Sequence, residues 1–443
     1  MNAEIRQIKT AAEQGLADAF AGAKAKLPGA GAIAQMREAA FRQFEAKGLP
    51  HRRVEEWKYT DLRALMRDVK PIAPPPDAKA KARAKDAGGL LAGTKPRRIV
   101  VVDGVFLPEL SDLSGLEKGL TIGSLAEALA KSDAATLKHV GKVIETKDVA
   151  VALNTAFMGD GVVIQIADRA QIERPLQLVF VNGGDKAASV FPRSLITVGA
   201  GASVALFESH DGPDGIDYQV NTALELVVGD GATVDYLKLT REGDKALHVS
   251  TLLASIGAKV AFSPFFFNLG GAVLRNQLFV RFGGERTTAA IGGATLLNGR
   301  QHADTTMVID HAVGHCTSRE IFHAVLDDES RSVFQGKIIV RQHAQKTDGK
   351  MMTRALLLSE EAEADNKPEL EIFADDVQCG HGATAGPLNK DLLFYLRARG
   401  IPQKEAESLL TQAFIGEAVE TVRNEAVREA LNGAVSQWLS ARG

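Results

Sequence analysis

The sequence predicts a mainly β protein with helical ends, its centre built as a β-solenoid of the parallel β-helix type. Three observations predict it. From Gly161 to about Phe373, short Val-, Ile-, Leu- and Phe-rich runs alternate with Gly and Asp turns, and long helical patterns disappear. Within that stretch a loose motif recurs: Val198-Gly199-Ala200-Gly201-Ala202, Val228-Gly229-Asp230-Gly231-Ala232, Ile256-Gly257-Ala258 and Ile291-Gly292-Gly293-Ala294. Its interval of about thirty residues is in the range where periodicity signals stacked repeats. Before and after this centre, apolar residues fall at helical spacing. Each copy reads as a strand, a Gly-rich corner and a second strand, such as Ala202 to Phe207 or Thr233 to Leu239. A single coil cannot bury its apolar side, whereas stacked coils share one core. A β-sandwich also accommodates many short strands; the recurring corner favours the solenoid.

Three regions follow: 1–160, helical with one strand; 161–386, the β core; and 387–443, helical again. Residues 3–21 are Ala-rich, with Ile5, Ile8, Leu16 and Phe20 toward one face, and Leu27-Pro28-Gly29 breaks the run. Met36, Ala40, Phe41 and Phe44 form the stripe of a second helix that stops at Lys47-Gly48. LPHRRVEEWKYTDL, from Leu49 to Leu62, reads as a salt-bridged turn with Trp57 as packing anchor. Residues 71–93 are rich in Pro, Ala, Lys and Gly and predict a mobile linker. RRIVVVDGVF, from Arg97 to Phe106, is a buried strand turning at Asp103-Gly104, and 122–160 read as helix. After Pro387, two helical pieces split at Gly400, with Ala406, Leu409, Leu410 and Ala413 on one side of the second. Val419, Val422, Val427, Leu431 and Val435 carry the pattern to the end.

Composition narrows function by exclusion. With 45% hydrophobic and 24% charged residues and a formal charge of -3, the chain is ordinary globular protein with no bias toward nucleic acid or anionic lipid. No apolar run has bilayer length and the start lacks a signal-peptide core. Two distant cysteines in 443 residues suit a reducing compartment, so a cytoplasmic location is expected. G-x-x-x-x-G-K-[ST], H-E-x-x-H, C-x-x-C and G-x-S-x-G are all absent. The Gly-x-Gly pairs lie between strands, unlike a dinucleotide fingerprint.

The stretch from Lys367 to Leu388, KPELEIFADDVQCGHGATAGPL, concentrates the remaining chemistry. In an extended strand Cys379 and His381 share a face, with Gly380 and Gly382 leaving room for close approach. A thiolate and an imidazole make half a metal site. Asp375 and Asp376 are adjacent, so a strand points them to opposite sides and they make a poor acid-base dyad. His302, His311, His315, His323 and His343 also fall in the later half. His311, His315 and Cys316 are the tightest group, and packing explains such residues more often than ligation.

LPHRRVEEWKYTDL, FADDVQCGHGATAG (Phe373 to Gly386) and FYLRARGI (Phe394 to Ile401), in this order, resemble the SufB/SufD family of iron–sulfur cluster assembly proteins over nearly the full length. The low cysteine count, the long helical N-terminus and the Cys379-Gly380-His381 arrangement resemble its SufD branch. The resemblance implies a right-handed parallel β-helix core flanked by N- and C-terminal α-helical domains. It implies a non-enzymatic scaffold that pairs with SufB through the β-helix and docks the ATPase SufC through C-terminal helices. His381, and more weakly Cys379, would serve cluster assembly at the SufB interface, with the remaining metal ligands from the partner. Phe394, Tyr395, Leu396, Arg397, Leu409, Leu410 and Phe414 would face SufC. A transient iron–sulfur cluster would be shared with SufB, with none held stably by the isolated chain, for which a homodimer is open. Two other readings remain: a β-helix carbohydrate-active enzyme using Asp310, Asp375 or Asp376, and a purely structural solenoid.

Overall fold

The computed structural model describes residues 9–442. Ile5 and Ile8 of the expected first helix lie outside them. The described helix, α1 (Ala11–Ala23), begins at Thr10, whose hydroxyl accepts from the Glu13 N–H while the Glu13 carboxylate accepts from the Thr10 N–H. This reciprocal cap fixes where the helix starts. Next come α2 (Ala32–Lys47), α3 (Leu62–Leu65) and α4 (Ala78–Arg83). The strands β1 (Arg97–Val102), β2 (Val105–Phe106) and β3 (Leu120–Ser124) precede α5 (Leu125–Ala130), α6 (Ala134–Leu137) and α7 (Val149–Phe157).

The coils then run through β4 (Val162–Ile166), β5 (Leu176–Val181), β6 (Ser189–Val190), β7 (Arg193–Val198), β8 (Ser203–Asp211), β9 (Gln219–Val228) and β10 (Thr233–Arg241). They continue through β11 (Leu247–Ile256), β12 (Ala261–Asn268), β13 (Val273–Phe282), β14 (Thr288–Leu297), β15 (His302–His311) and β16 (Thr317–Leu326). The last are β17 (Arg331–Val340), β18 (Asp348–Leu357), β19 (Glu363–Ile372) and β20 (Gln378–Gly386), followed by α8 (Lys390–Ala398), α9 (Gln403–Val419) and α10 (Glu425–Ala441).

Two ten-stranded sheets face each other, even-numbered strands from β8 to β20 in one and odd-numbered strands from β7 to β19 in the other. Pairing between coils is parallel and in step: Ser203, Thr233, Ala261, Thr288, Thr317, Asp348 and Gln378 lie one above the next. The expected solenoid is present. Among the described residues, only the β1–β2 and β3–β4 pairs at its beginning are antiparallel.

Alternation assigns the side chains. Val204, Leu206, Val234, Tyr236, Phe262 and Phe266 fill the space between the sheets. Their neighbours Phe207, Leu237, Leu239, Phe265 and Phe267 point outward beneath α9 and α10. Helices therefore cover the outer face of this sheet, which explains runs such as Phe265-Phe266-Phe267 that are apolar on both sides. On the other sheet, Leu247 and Val249 lie under α1, α2 and α7, where the Phe20 and Phe41 rings stack at 4.2 Å.

The corners show how the turn is kept when glycine is not. Gly201 and Gly231 adopt φ of 67° and 69°. In later coils Lys259, Arg286, His315 and Lys346 hold the same left-handed position, at φ of 55–62°. The corner N–H bonds across to the next coil, as from Gly231 to Ala258 O, His315 to Gln345 O and Lys346 to Asp376 O. The following residue turns inward, which places Ala202, Ala232, Val260 and Cys316 in the core.

Three expectations change. Ile291-Gly292-Gly293-Ala294 is not a corner but the middle of β14. There a Cβ on Gly292 would lie 2.7 Å from the Phe265 ring and one on Gly293 would lie 2.6 Å from the Phe322 ring, so these glycines make room for aromatics of neighbouring strands. Residues 71–93 pack as well: Ala80, Ala84, Ala87 and Leu91 are buried, and Arg98 donates to the Ala84, Lys85 and Ala87 carbonyls. Finally, β1 pairs in parallel with β5 and so starts the solenoid before residue 161.

Trp57 is the anchor that its sequence suggests. It is 2% exposed, its Nε1 donates to Asp148 at 3.0 Å, and the Arg275 guanidinium lies 3.8 Å from its ring centroid. Arg275 pairs with the buried Asp304, which also accepts from Thr60.

Candidate functional site at the open end of the solenoid

Stacking ends at β20. It pairs with β18 on one side and, among the described residues, has no strand on the other, and β19 likewise ends the second sheet. Chain geometry thus leaves a coil with two free edges, a ready template for another chain. The corner between these strands is Phe373 to Val377. Asp375 and Asp376 sit in it, both exposed, with Asp376 paired to Lys346 and its N–H donating to Gln345 at 2.8 Å. They are corner residues, and nothing brings them together as an acid-base pair.

Cys379 and His381 follow on β20. Cys379 is a half-buried free thiol packed against the inner apolar cluster, and burial pushes it above the ordinary cysteine range. His381, two residues on, shares its side of the strand and is exposed. The register stacks Ile291, Glu320, Met351 and His381 in one column. A cleft of about 460 Å³ opens there, lined among others by Glu320, Met351, Cys379 and His381. A Cβ on Gly380 would meet nothing within 4 Å, so the space beside the thiol and the imidazole is open, while one on Gly382 would press on Met352.

Glu320 is the residue that sequence reasoning passed over. It is fully buried, neither carboxylate oxygen has a well-aligned hydrogen-bond partner, and burial pushes it up to about 8. The Ser318 hydroxyl and the Arg319 guanidinium oppose that shift without cancelling it. A carboxyl at an inward position of the strand Ser318-Arg319-Glu320-Ile321-Phe322 was the available signal.

The other histidines of the later half, His302, His311, His315, His323 and His343, do not gather. His302 contacts Thr60, His311 bonds Ser318 and meets the Phe282 ring edge-on, and His315 and His343 are exposed at corners. His323 stacks on Phe414 at 4.6 Å, and its Nδ1 lies 2.7 Å from the Phe414 main-chain oxygen. Since a carbonyl only accepts, His323 Nδ1 is the donor. Cys316 is core, its thiol facing the Gly284 carbonyl. Asp310 pairs with Arg341 and Arg281.

In the helical tail, Phe394, Tyr395 and Leu409 are 74%, 53% and 42% exposed. Arg397 is exposed, while Leu396 and Leu410 are half-buried. Phe414 departs from this group: it ties α9 to β16 through His323. The buried side of α9 is Ala406, Thr411, Ile415, Ala418 and Val419, so Leu409 and Ala413 leave the face on which Ala406 was expected to join them. Among the described residues, no helix is long and apolar enough to cross a membrane.

A parallel solenoid flanked by helices, with a thiol and an imidazole on the last strand of one sheet, is a stacked-coil protein whose stacking stops at an open edge. The model of the SUF system FeS cluster assembly SufBD core domain matches residues 180–414, and that of the SufBD protein N-terminal region matches 11–178. The chain is 31% identical to the iron–sulfur cluster assembly protein SufD of Escherichia coli, over 90% of this chain and 91% of that one. It is equally 31% identical to an iron–sulfur cluster assembly SufBD family protein of Synechocystis, over 89% and 87% of the two chains. It is 26% identical to the chloroplastic protein ABCI7 of Arabidopsis thaliana, over 90% and 84%. The chain belongs to the SufBD family of iron–sulfur cluster assembly proteins and is SufD-like.

Proposed function

We propose that this chain is the non-ATPase scaffold subunit of a complex with SufB and SufC in the cytoplasm. Its last coil pairs with SufB, and His381 and Cys379 contribute to a transient iron–sulfur cluster whose other ligands come from SufB. No cluster stays with the isolated chain. One observation carries this: the two soft-metal ligand types of Cys379-Gly380-His381 lie on a strand whose outer edge is unpaired. Neutral imidazole and thiolate suit iron and sulfide. The exposed Phe394, Tyr395 and Leu409 support the second part, docking of SufC by the C-terminal helices. ATP chemistry then belongs to SufC, in keeping with the missing phosphate-binding loop in this sequence.

The test is co-expression with SufB and SufC, anaerobic purification and iron counting. His381→Ala retains the three-subunit complex and loses cluster iron; full cluster yield refutes the assignment. Leu409→Asp with Phe394→Asp releases SufC while SufB stays bound. Unchanged SufC retention refutes the docking role.

A further inference from the structure

Far from the open end, the solenoid interior holds a second constellation. Val204 and Leu206 of β8 face the inner cluster, so Glu208 and His210 on the same strand face inward too. His248 is inward on β11 by the same alternation, with Leu252, Ala254 and Ile256. Glu242 comes from the corner between β10 and β11. One ligand atom from each of His210, Glu242 and His248 lies within 4.8 Å of the others, and all three residues are buried.

The arrangement has its outer supports in place. His210 Nε2 is 2.5 Å from Glu208, which also accepts from the Tyr236 hydroxyl at 2.7 Å. His248 Nε2 is 3.0 Å from the Thr222 hydroxyl. Glu242 accepts from Asn182 at 3.1 Å. What remains unpartnered is His210 Nδ1, His248 Nδ1 and Glu242 Oε2. His248 Nδ1 is 2.9 Å from Glu242 Oε2 without hydrogen-bond alignment. Each ligand is thus held through its other polar atom, the usual second-shell pattern around a bound ion. Buried polar atoms left unpaired are costly enough to need an explanation.

We propose that His210, Glu242 and His248 bind a structural divalent transition-metal ion of the Zn2+ or Fe2+ class. Two imidazoles and one carboxylate are a donor set for these ions. Ligands at about 2.1 Å from zinc stand about 3.4 Å apart in a tetrahedron, so small side-chain rotations close the site. Lys238 faces the same cluster and, among the described residues, is the lysine or arginine that acts on it; its ammonium donates to Asn276 at 3.0 Å, and burial pulls it down to about 8. With Glu208 and Glu242 opposite it, the site does not repel a divalent cation. The ion ties β8 in one sheet to β11 in the other and clips two successive coils together. This inference is independent of the cluster-assembly role and involves no residue of the open end.

The test is metal content of the full chain produced in cobalt-supplemented medium and gel-filtered, so that the ion enters during folding. The expected result is about one Co2+ per chain with d–d absorption of an N/O site and no thiolate charge transfer. His210→Gln and Glu242→Gln reduce the content at least about tenfold, while Cys379→Ser with His381→Ala leaves it unchanged. Should those variants misfold, Thr222→Ala reads the same way, keeping the fold and lowering affinity about tenfold. A wild-type chain without cobalt, or content that follows Cys379 and His381 instead, overturns the proposal.

Discussion

Replacing Glu320 by Gln isolates the electrostatics of the open end. The carboxyl is fully buried and pushed from 4.5 to about 8. Because its folded value lies above its unfolded one, the folded chain binds more protons between these pH values, and stability falls as pH rises through them. Below about 4.5 the group is neutral in both states and contributes no slope. At 1.36 kcal/mol per unit, the penalty grows to about 4 kcal/mol at pH 7.5 and levels off near pH 8. Gln keeps the shape and never ionises. Its own unpaired amide shifts stability by a constant that pH does not change. Thermal unfolding of both chains at pH 5, 6, 7 and 8 gives the difference directly. Glu320→Gln gains on the wild type across this series, by several degrees in Tm at pH 8. A difference that is flat with pH refutes the reasoning, since the carboxyl would then be solvated in the folded state.

Arg275→Ala strands the buried Asp304 and uncovers the Trp57 face, costing about 3–5 kcal/mol; a Tm drop that Asp304→Asn partly restores checks it. Gly293→Ala drives a methyl to 2.6 Å from the Phe322 ring and costs about 1–3 kcal/mol in thermal unfolding, whereas Gly380→Ala, which meets nothing, leaves Tm unchanged. His311 is held to about 4 by burial, so it stays neutral when folded and charges when unfolded. The stability tied to it is complete above the unfolded value near 6.5 and is lost as pH falls toward 4. A wild-type Tm advantage over His311→Gln that shrinks from pH 7 to pH 4.5 is the expected result.

Much of this was legible in the residues. The recurring Gly-rich corner gave away the coils because early corners use glycine for their positive φ. It stopped being legible where Lys259, Arg286, His315 and Lys346 take over that position, with Lys259, His315 and Lys346 held by hydrogen bonds to the next coil. Those bonds join residues about thirty apart, which no local pattern records. The same blindness turned Gly292-Gly293 into a false corner, since the rings that require them sit on adjacent strands. Composition misled at 71–93, where alanines that look like linker are small enough to pack. Cys379 and His381 were visible through spacing alone. Glu320 was not: its inward position needs the exact alternation of β16, and a single carboxylate among apolar residues carries no periodic signal. His210 and His248 were invisible for a related reason, being joined only by the stacking of β8 against the coil of β11.

A stack of coils behaves as a one-dimensional lattice, each layer steadied by the layers on either side. The layer of β19 and β20 has a neighbour on one side only, so its opening free energy contains one interface where interior layers have two. Amide exchange in the free chain should therefore be graded along the axis, slow at β11 to β15 and fastest at β20. The partner strand proposed for this end would supply the missing neighbour. Under the proposed pairing, occupancy of the end would be written into the rigidity of the strand that carries Cys379 and His381: loose when the chain is alone, fixed when the end is capped.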